Sequence, residues 1–277
     1  MQLDGVVFYG RLGEHALQMF GLEHELSQWQ GARVLDCPGG PGSLAALLAA
    51  AGVEVIACDP LYALSNAELR QRTLDDLELT LRKSATSSML RPGFDLEPLR
   101  RFHLDSLERF LADRDAHPER YVAASLPALP FADGQFDLVL SGHLLFSYAP
   151  ASDGGLMNGS VLDLRWHRAA LAELCRVSRR QVRLYPAHTQ TLPARRHGYA
   201  EALLAELPAP WSGGFVTRDY DQGFSGCTDG LELQMEPSVL GGAVRQKKTS
   251  RRARGFLMEP RRLELLTPCM PCRCSTS

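Results

Sequence analysis

A chain of 277 residues with 45% hydrophobic and 22% charged side chains has the composition of an ordinary globular protein and enough length for a full core. Its net charge of −2 excludes a whole-molecule field suited to a polyanionic partner, although from Glu236 onward nine Lys/Arg stand against three Glu. No apolar run approaches the ~18 residues of a membrane span and the N-terminus has no signal pattern, so a cytoplasmic location is the expectation.

In chain order, "ARVLDC" is a short apolar strand, and "VLDCPGGPGS" (Val34 to Ser43) turns it into a helix, "SLAALLAAAG". Ser43 is the expected N-cap of that helix and Gly52 its stop. "VEVIACDP" is a second strand, ended by Pro60. Further strands are expected at "RYVAAS", "FDLVLSG" and "RQVRLYP", with the helix "LRWHRAALAELCRVS" between the last two. After a helix at "HGYAEALLAEL", the runs "GGFVTRDY" and "GCTDGLELQM" are expected to pair antiparallel at the sheet edge. Strands alternating with helices in this way specify βαβ units and a parallel sheet covered on both faces.

Two segments break the rhythm. Leu61 to Arg120 is about 60 residues long where a simple crossover needs far fewer, and its content is helical, so a helical cap over one end of the sheet is expected. From about Pro237 the chain loses apolar periodicity, and disorder is expected there. The division is therefore a domain over 1–235, carrying the cap at about 61–120, and a basic tail over 236–277. The seven cysteines follow no disulfide framework. Cys269, Cys272 and Cys274 lack a second ligand pair, so no metal site is expected.

The glycine loop carries the chemistry. In an open parallel sheet, ligands sit beyond the carboxyl ends of the strands, where this loop begins. Gly40 and Gly42 allow close backbone approach, and the following helix offers free N–H groups. A nucleoside triphosphate loop would need Lys-Ser/Thr at its end, and a dinucleotide loop would need G-x-G-x-x-G; neither is present. The pattern that fits is acidic-x-Gly-x-Gly-x-Gly, with Asp36, Gly40 and Gly42 in register and Pro38 in place of the first glycine.

With Asp59 lying 23 residues after Asp36, and "AASLPALPFADGQFDLVLSGHLLF" following in order, the chain resembles class I S-adenosylmethionine-dependent methyltransferases over roughly Gly31 to Gln234. The resemblance, closest to methyltransferase type 11-like members, implies a Rossmann-like seven-stranded, mostly parallel sheet. It implies S-adenosyl-L-methionine as cofactor, held by Asp36, Pro38, Gly39, Gly40 and Gly42 of the loop. It further implies contacts from Asp59 and Pro60 after the second strand, from Ser125 and Leu126 after the third, and from Ser141 in the fourth. Asp59 would accept hydrogen bonds from both ribose hydroxyls, and Asp36 would orient the methionine amino end. Pro38 and Ser125 depart from the family pattern, Ser125 standing where an Asp commonly meets the adenine amino group.

Methyl transfer from a sulfonium is an in-line displacement that depends chiefly on positioning, and a base is needed only if the acceptor must lose a proton. His143, in "SGHLLFSY" after the fourth strand, is the candidate catalytic base or acceptor-orienting group, with His188 as a second choice. Phe146 and Tyr148 are candidate pocket residues, and Arg11, after Tyr9 and before the first strand, is by the same resemblance a candidate partner for the cofactor carboxylate. Nucleic acid is disfavoured as acceptor, because the catalytic region has no basic stripe with interleaved aromatics. A small molecule under the cap is the expected acceptor, while oligomeric state is not legible. The alternative is a module that binds the cofactor without transferring methyl.

Overall fold

In a computed structural model the described residues are 2–87, 90–220, 222–223 and 225–236, and they fall within one compact unit, Met1–Ser238. The expected disorder and the cysteine cluster beyond Pro237 lie outside the described residues.

The strands are β1 (Arg33–Asp36), β2 (Glu54–Cys58), β3 (Tyr121–Val122), β4 (Phe136–Gly142), β5 (Ser178–Tyr185), β6 (Trp211–Thr217) and β7 (Asp229–Met235). They form one seven-stranded sheet in the order β3-β2-β1-β4-β5-β7-β6. β3 through β5 are parallel, with Val34 opposite both Val55 and Leu138, and β7 runs antiparallel between β5 and β6. This is a Rossmann-like, mostly parallel sheet. The order reverses between β1 and β4, which opens the crevice where ligands bind in such sheets.

Period-two alternation divides the core. Val34, Val55 and Leu138 point to one face, where α1 (Gly13–Phe20), α2 (Leu44–Ala50) and α4 (Leu96–Ala116) contribute Leu17, Leu48 and Phe110. Leu35, Val139 and Val182 point to the other, against Leu171 and Leu174 of α5 (Leu164–Val177) and Leu203 of α6 (Gly198–Ala205). Both faces of β1 and β4 are covered, which explains why "VLDC" and "FDLVLSG" read as continuous apolar runs.

The cap consists of two long helices, α3 (Asn66–Ala85) and α4. A capping box starts α3: Ser65 Oγ accepts from Glu68 N–H at 3.3 Å, and Glu68 accepts from Ser65 N–H at 2.8 Å. Asp95 caps α4 by accepting from Glu97 N–H at 2.9 Å. Arg70 and Glu108 join the two helices in a bidentate ion pair. Among the described residues no helix is long and apolar enough to cross a membrane.

Two local expectations are corrected. "RYVAAS" contributes only Tyr121–Val122 to the sheet, because β3 is an edge strand and its chain then turns, Ser125 bridging to Ala128. Ser43 occupies the N-cap position of α2 but makes no cap hydrogen bond; its hydroxyl is taken by the N–H of Gly13, 2.8 Å away.

Candidate functional site

A cavity of about 410 Å³ opens at the carboxyl ends of β1, β2 and β4, where the sheet order reverses. The glycine loop forms its floor. Gly40 adopts φ +53°, a left-handed conformation that favours glycine, and a Cβ there would project into open space. Gly39 is required for a different reason: a Cβ would lie 2.5 Å from the Tyr62 hydroxyl, which donates to Gly40 C=O at 2.6 Å.

Two carboxylates flank the loop. Asp36 ends β1 and Asp59 follows β2, and each is only 6% exposed. Asp59 accepts from Leu61 N–H at 2.9 Å, whereas among the described residues nothing donates a hydrogen bond to Asp36. Burial, and then the charge of Asp59, push the Asp36 carboxyl up to about 7. Burial lifts Asp59 to about 6, restrained by the N–H groups of Leu61 and Gly40. Two buried acids facing one cavity without a cationic side-chain partner make a site suited to a ligand that brings hydroxyl and ammonium donors.

The N-terminal segment closes the cavity from the side. Gly10 passes so close to the loop that a Cβ would lie 2.1 Å from the Pro41 carbonyl carbon. Arg11 C=O accepts from Ser43 N–H at 3.2 Å and from the Ser106 hydroxyl at 2.7 Å. Ser106 also donates toward Pro41 C=O at 3.2 Å and accepts from Ser43 N–H at 3.1 Å, and His103 Nδ1 bonds Gly10 C=O. Helix α4 thus joins the entering chain to the glycine loop. Phe8 N–H donates to Asp76 of α3 at 2.7 Å, so both cap helices hold this segment.

At the end of β4, His143 sits at φ +57°, a costly conformation for a residue with a Cβ, and its N–H donates to Tyr185 C=O at 2.7 Å. Its Nε2 accepts from Arg11 Nε at 2.8 Å, which assigns the ring proton to Nδ1. Burial, followed by the Arg11 charge, pushes the imidazole well below its usual range. A histidine whose lone pair is engaged by a guanidinium is poorly placed to take a proton. This geometry argues against the base reading of His143.

Of the sequence-derived residues, Asp36, Pro38, Gly39, Gly40 and Gly42 line the cavity, as do Asp59, Pro60, Ser125, Leu126 and His143. Ser141 does not: alternation along β4 places it on the face of Val139, buried with its hydroxyl unpartnered. Phe146 is core, stacked on His167 at 5.5 Å. His188 is buried against Thr189 C=O and stays off the lining. Tyr9, Arg11 and Tyr148 do line the cavity. Sequence reasoning missed Ser106; its signal was a polar residue on the buried stripe of α4.

No family model matches the chain. An uncharacterized protein of Methanocaldococcus jannaschii is 22% identical over 192 residues, covering 67% of this chain and 80% of that protein. Among solved structures, the chain is similar to magnesium protoporphyrin IX methyltransferase of Synechocystis with bound S-adenosylhomocysteine (13% identity, 81% of this chain and 84% of that one, TM-score 0.42). It is also similar to 1,6-didemethyltoxoflavin-N1-methyltransferase of Burkholderia thailandensis (13%, 80% and 78%, TM-score 0.40). A third likeness is to a methyltransferase from Aquifex aeolicus (12%, 79% and 90%, TM-score 0.39).

Proposed function

We propose that this chain transfers a methyl group from S-adenosylmethionine to a small-molecule acceptor. The observation that carries the reading is the pair of buried carboxylates, Asp36 and Asp59, on either side of a glycine loop whose Gly40 leaves open space above it. The residues present fit the cofactor. Asp59 retains acceptor capacity beyond its bond to Leu61 N–H for a pair of ribose hydroxyls, and Asp36 has its full capacity for an ammonium group. When bound, the cofactor supplies a methyl carbon activated by a sulfonium.

The chain's contribution is binding, orientation and exclusion of water. The glycine loop, tied to α4 through Ser106, gives the donor a fixed seat, and fixed geometry is the main source of rate in a displacement of this kind. His143 and Arg11, bonded to each other at the end of β4, form the wall the acceptor would meet. The cap and the N-terminal segment enclose that wall, which favours a small molecule over a polymer.

Calorimetric titration of S-adenosylhomocysteine into the full chain and into Asp59→Ala tests the reading. Clear binding by the parent and a loss of at least ~1.5 kcal/mol in the variant are expected, the scale of hydrogen bonds to a charged group. Thermal melting of the variant checks that the fold survives. A parent that binds no S-adenosylhomocysteine refutes the proposal.

A further inference from the structure

Behind the wall of Tyr9, Arg11, His143 and Tyr148 lies a second, smaller cavity of about 90 Å³, between the cap helices and the loops that follow β4 and β5. Those four residues line both cavities, so the second one abuts the donor site. Its polar lining is short of partners. Ser147 is 2% exposed and Gln190 6% exposed, and both line the cavity with Oγ and Nε2 unbonded. Arg11 is the third. Its one hydrogen bond goes to the neutral His143, its guanidinium lies 6.0 Å over the Tyr220 ring, and among the described residues no carboxylate pairs with it. A partly buried cation with one neutral acceptor and no counter-charge among the described residues, beside two buried donors with no acceptor, is costly unless a ligand supplies the missing partners.

From this we infer that the second cavity is the acceptor's anchoring subsite, and that the acceptor is a small organic acid whose carboxylate is held by Arg11, Ser147 and Gln190. The inference rests on the methyl-transfer reading for the name acceptor. One fixed positive charge with two neutral donors matches a monoanion rather than a phosphate dianion. Neither neighbouring histidine adds to that charge, since burial lowers both, His103 to about 3. Leu77, Leu81, Leu96 and Leu99 of the cap helices give the lining an apolar side that suits a short hydrocarbon body, beside the polar Thr80, Ser84 and Gln222.

The competing occupant for Arg11 is the carboxylate of the methyl donor itself. The geometry favours the acceptor. Arg11 meets the glycine loop through its backbone carbonyl, while its side chain reaches away to His143 at the end of β4 and to Tyr220.

Saturation-transfer NMR and thermal-shift titrations on the full chain, with hexanoate, phenylacetate and the corresponding amides as probes, decide the matter. They are run with and without S-adenosylhomocysteine, on wild type, Arg11→Gln, Arg11→Lys and Ser147→Ala. The expected result is saturable binding of at least one acid, at least tenfold weaker binding of its amide, and tenfold or greater loss in Arg11→Gln. Partial retention is expected in Arg11→Lys and an intermediate loss in Ser147→Ala. S-adenosylhomocysteine affinity should stay within threefold of wild type in Ser147→Ala, whose residue does not line the donor cavity. Two results overturn the inference: acid and amide binding equally, or no acid binding while Arg11→Gln weakens S-adenosylhomocysteine tenfold. Failure of wild type to bind S-adenosylhomocysteine would instead strike the methyl-transfer reading, and acid binding measured without it would still test the subsite.

Discussion

Replacing Asp36 by Asn should stabilise the protein and weaken donor binding, each with its own pH dependence. Asp36 is buried, lacks a hydrogen-bond donor among the described residues, and titrates at about 7 instead of its ordinary 3.8. Because the folded-state value lies above the unfolded one, its contribution to stability is complete below the unfolded pKa. It is lost as pH rises through the folded pKa. Ionisation at pH 8 then costs about 4 kcal/mol relative to acid conditions, and at pH 5 about 1.5 kcal/mol, taking 1.36 kcal/mol per pKa unit. Asn carries no such cost. The stability gain of Asp36→Asn should therefore grow by about 2–3 kcal/mol between pH 5 and pH 8, on the order of 5–10 °C in Tm for a chain of this size.

Binding has the opposite sign, since an ammonium-bearing donor prefers the ionised carboxylate. With a pKa of about 7, only about 1% of Asp36 is ionised at pH 5. S-adenosylhomocysteine should bind wild type at least about 100-fold more weakly at pH 5 than at pH 8, with release of at least about one proton near pH 6, Asp36 supplying the larger part and Asp59, at about 6, the rest. Asp36→Asn should bind weakly at every pH and lose most of that slope. The assays are calorimetry in buffers of different ionisation enthalpy and thermal melting across the same range. Affinity that stays flat from pH 5 to pH 8, or an Asn variant no more stable at pH 8 than at pH 5, would refute the assignment of Asp36 as the unsatisfied acid of the site.

Two further substitutions probe how the site is assembled. Ser106→Ala removes the hydroxyl that bonds Arg11 C=O, Pro41 C=O and Ser43 N–H. A loss of about 1–3 kcal/mol in denaturant unfolding is expected from the unsatisfied buried groups, with weaker S-adenosylhomocysteine binding as the cap loosens. An effect on stability without one on binding would show that α4 does not seat the loop. Gly10→Ala places a Cβ 2.1 Å from the Pro41 carbonyl carbon. Because that neighbour is backbone, the loop itself must shift, and a loss of at least ~2 kcal/mol is expected, the range of overpacking in a close-packed interior; unchanged urea unfolding would contradict the close approach.

The sheet was legible because each of its signals is local. Alternation of apolar strands and helices, and Gly52 past the end of α2, act within a few residues of themselves. The errors came where a distant partner overrode a local preference. Ser43 has the identity of an N-cap, but the chain thirty residues earlier presents Gly13 N–H to its hydroxyl. "RYVAAS" has strand character throughout, yet at a sheet edge with one neighbouring strand only Tyr121 and Val122 find partners.

The site divides along the same line. One side of the larger cavity follows β1 and β2 directly, so the placing of Asp36, the glycines and Asp59 together could be read from spacing. Ser141 failed because a strand sends alternate residues to opposite faces, and only the register shows which face meets the cavity. The second cavity is built from segments that meet only after folding: Arg11 precedes β1, His143 ends β4, Ser147 and Gln190 lie in later loops, and α3 and α4 arrive from the insertion. In sequence, Arg11 reads as a partner for the cofactor carboxylate and His143 as a base or acceptor-orienting group, each considered alone. Their contact at 2.8 Å changes both readings together, since it engages the imidazole lone pair and leaves the remaining donors of the guanidinium for a ligand. On the proposed reading the acceptor arrives with its own charge and is held by a cation that has no carboxylate partner among the described residues.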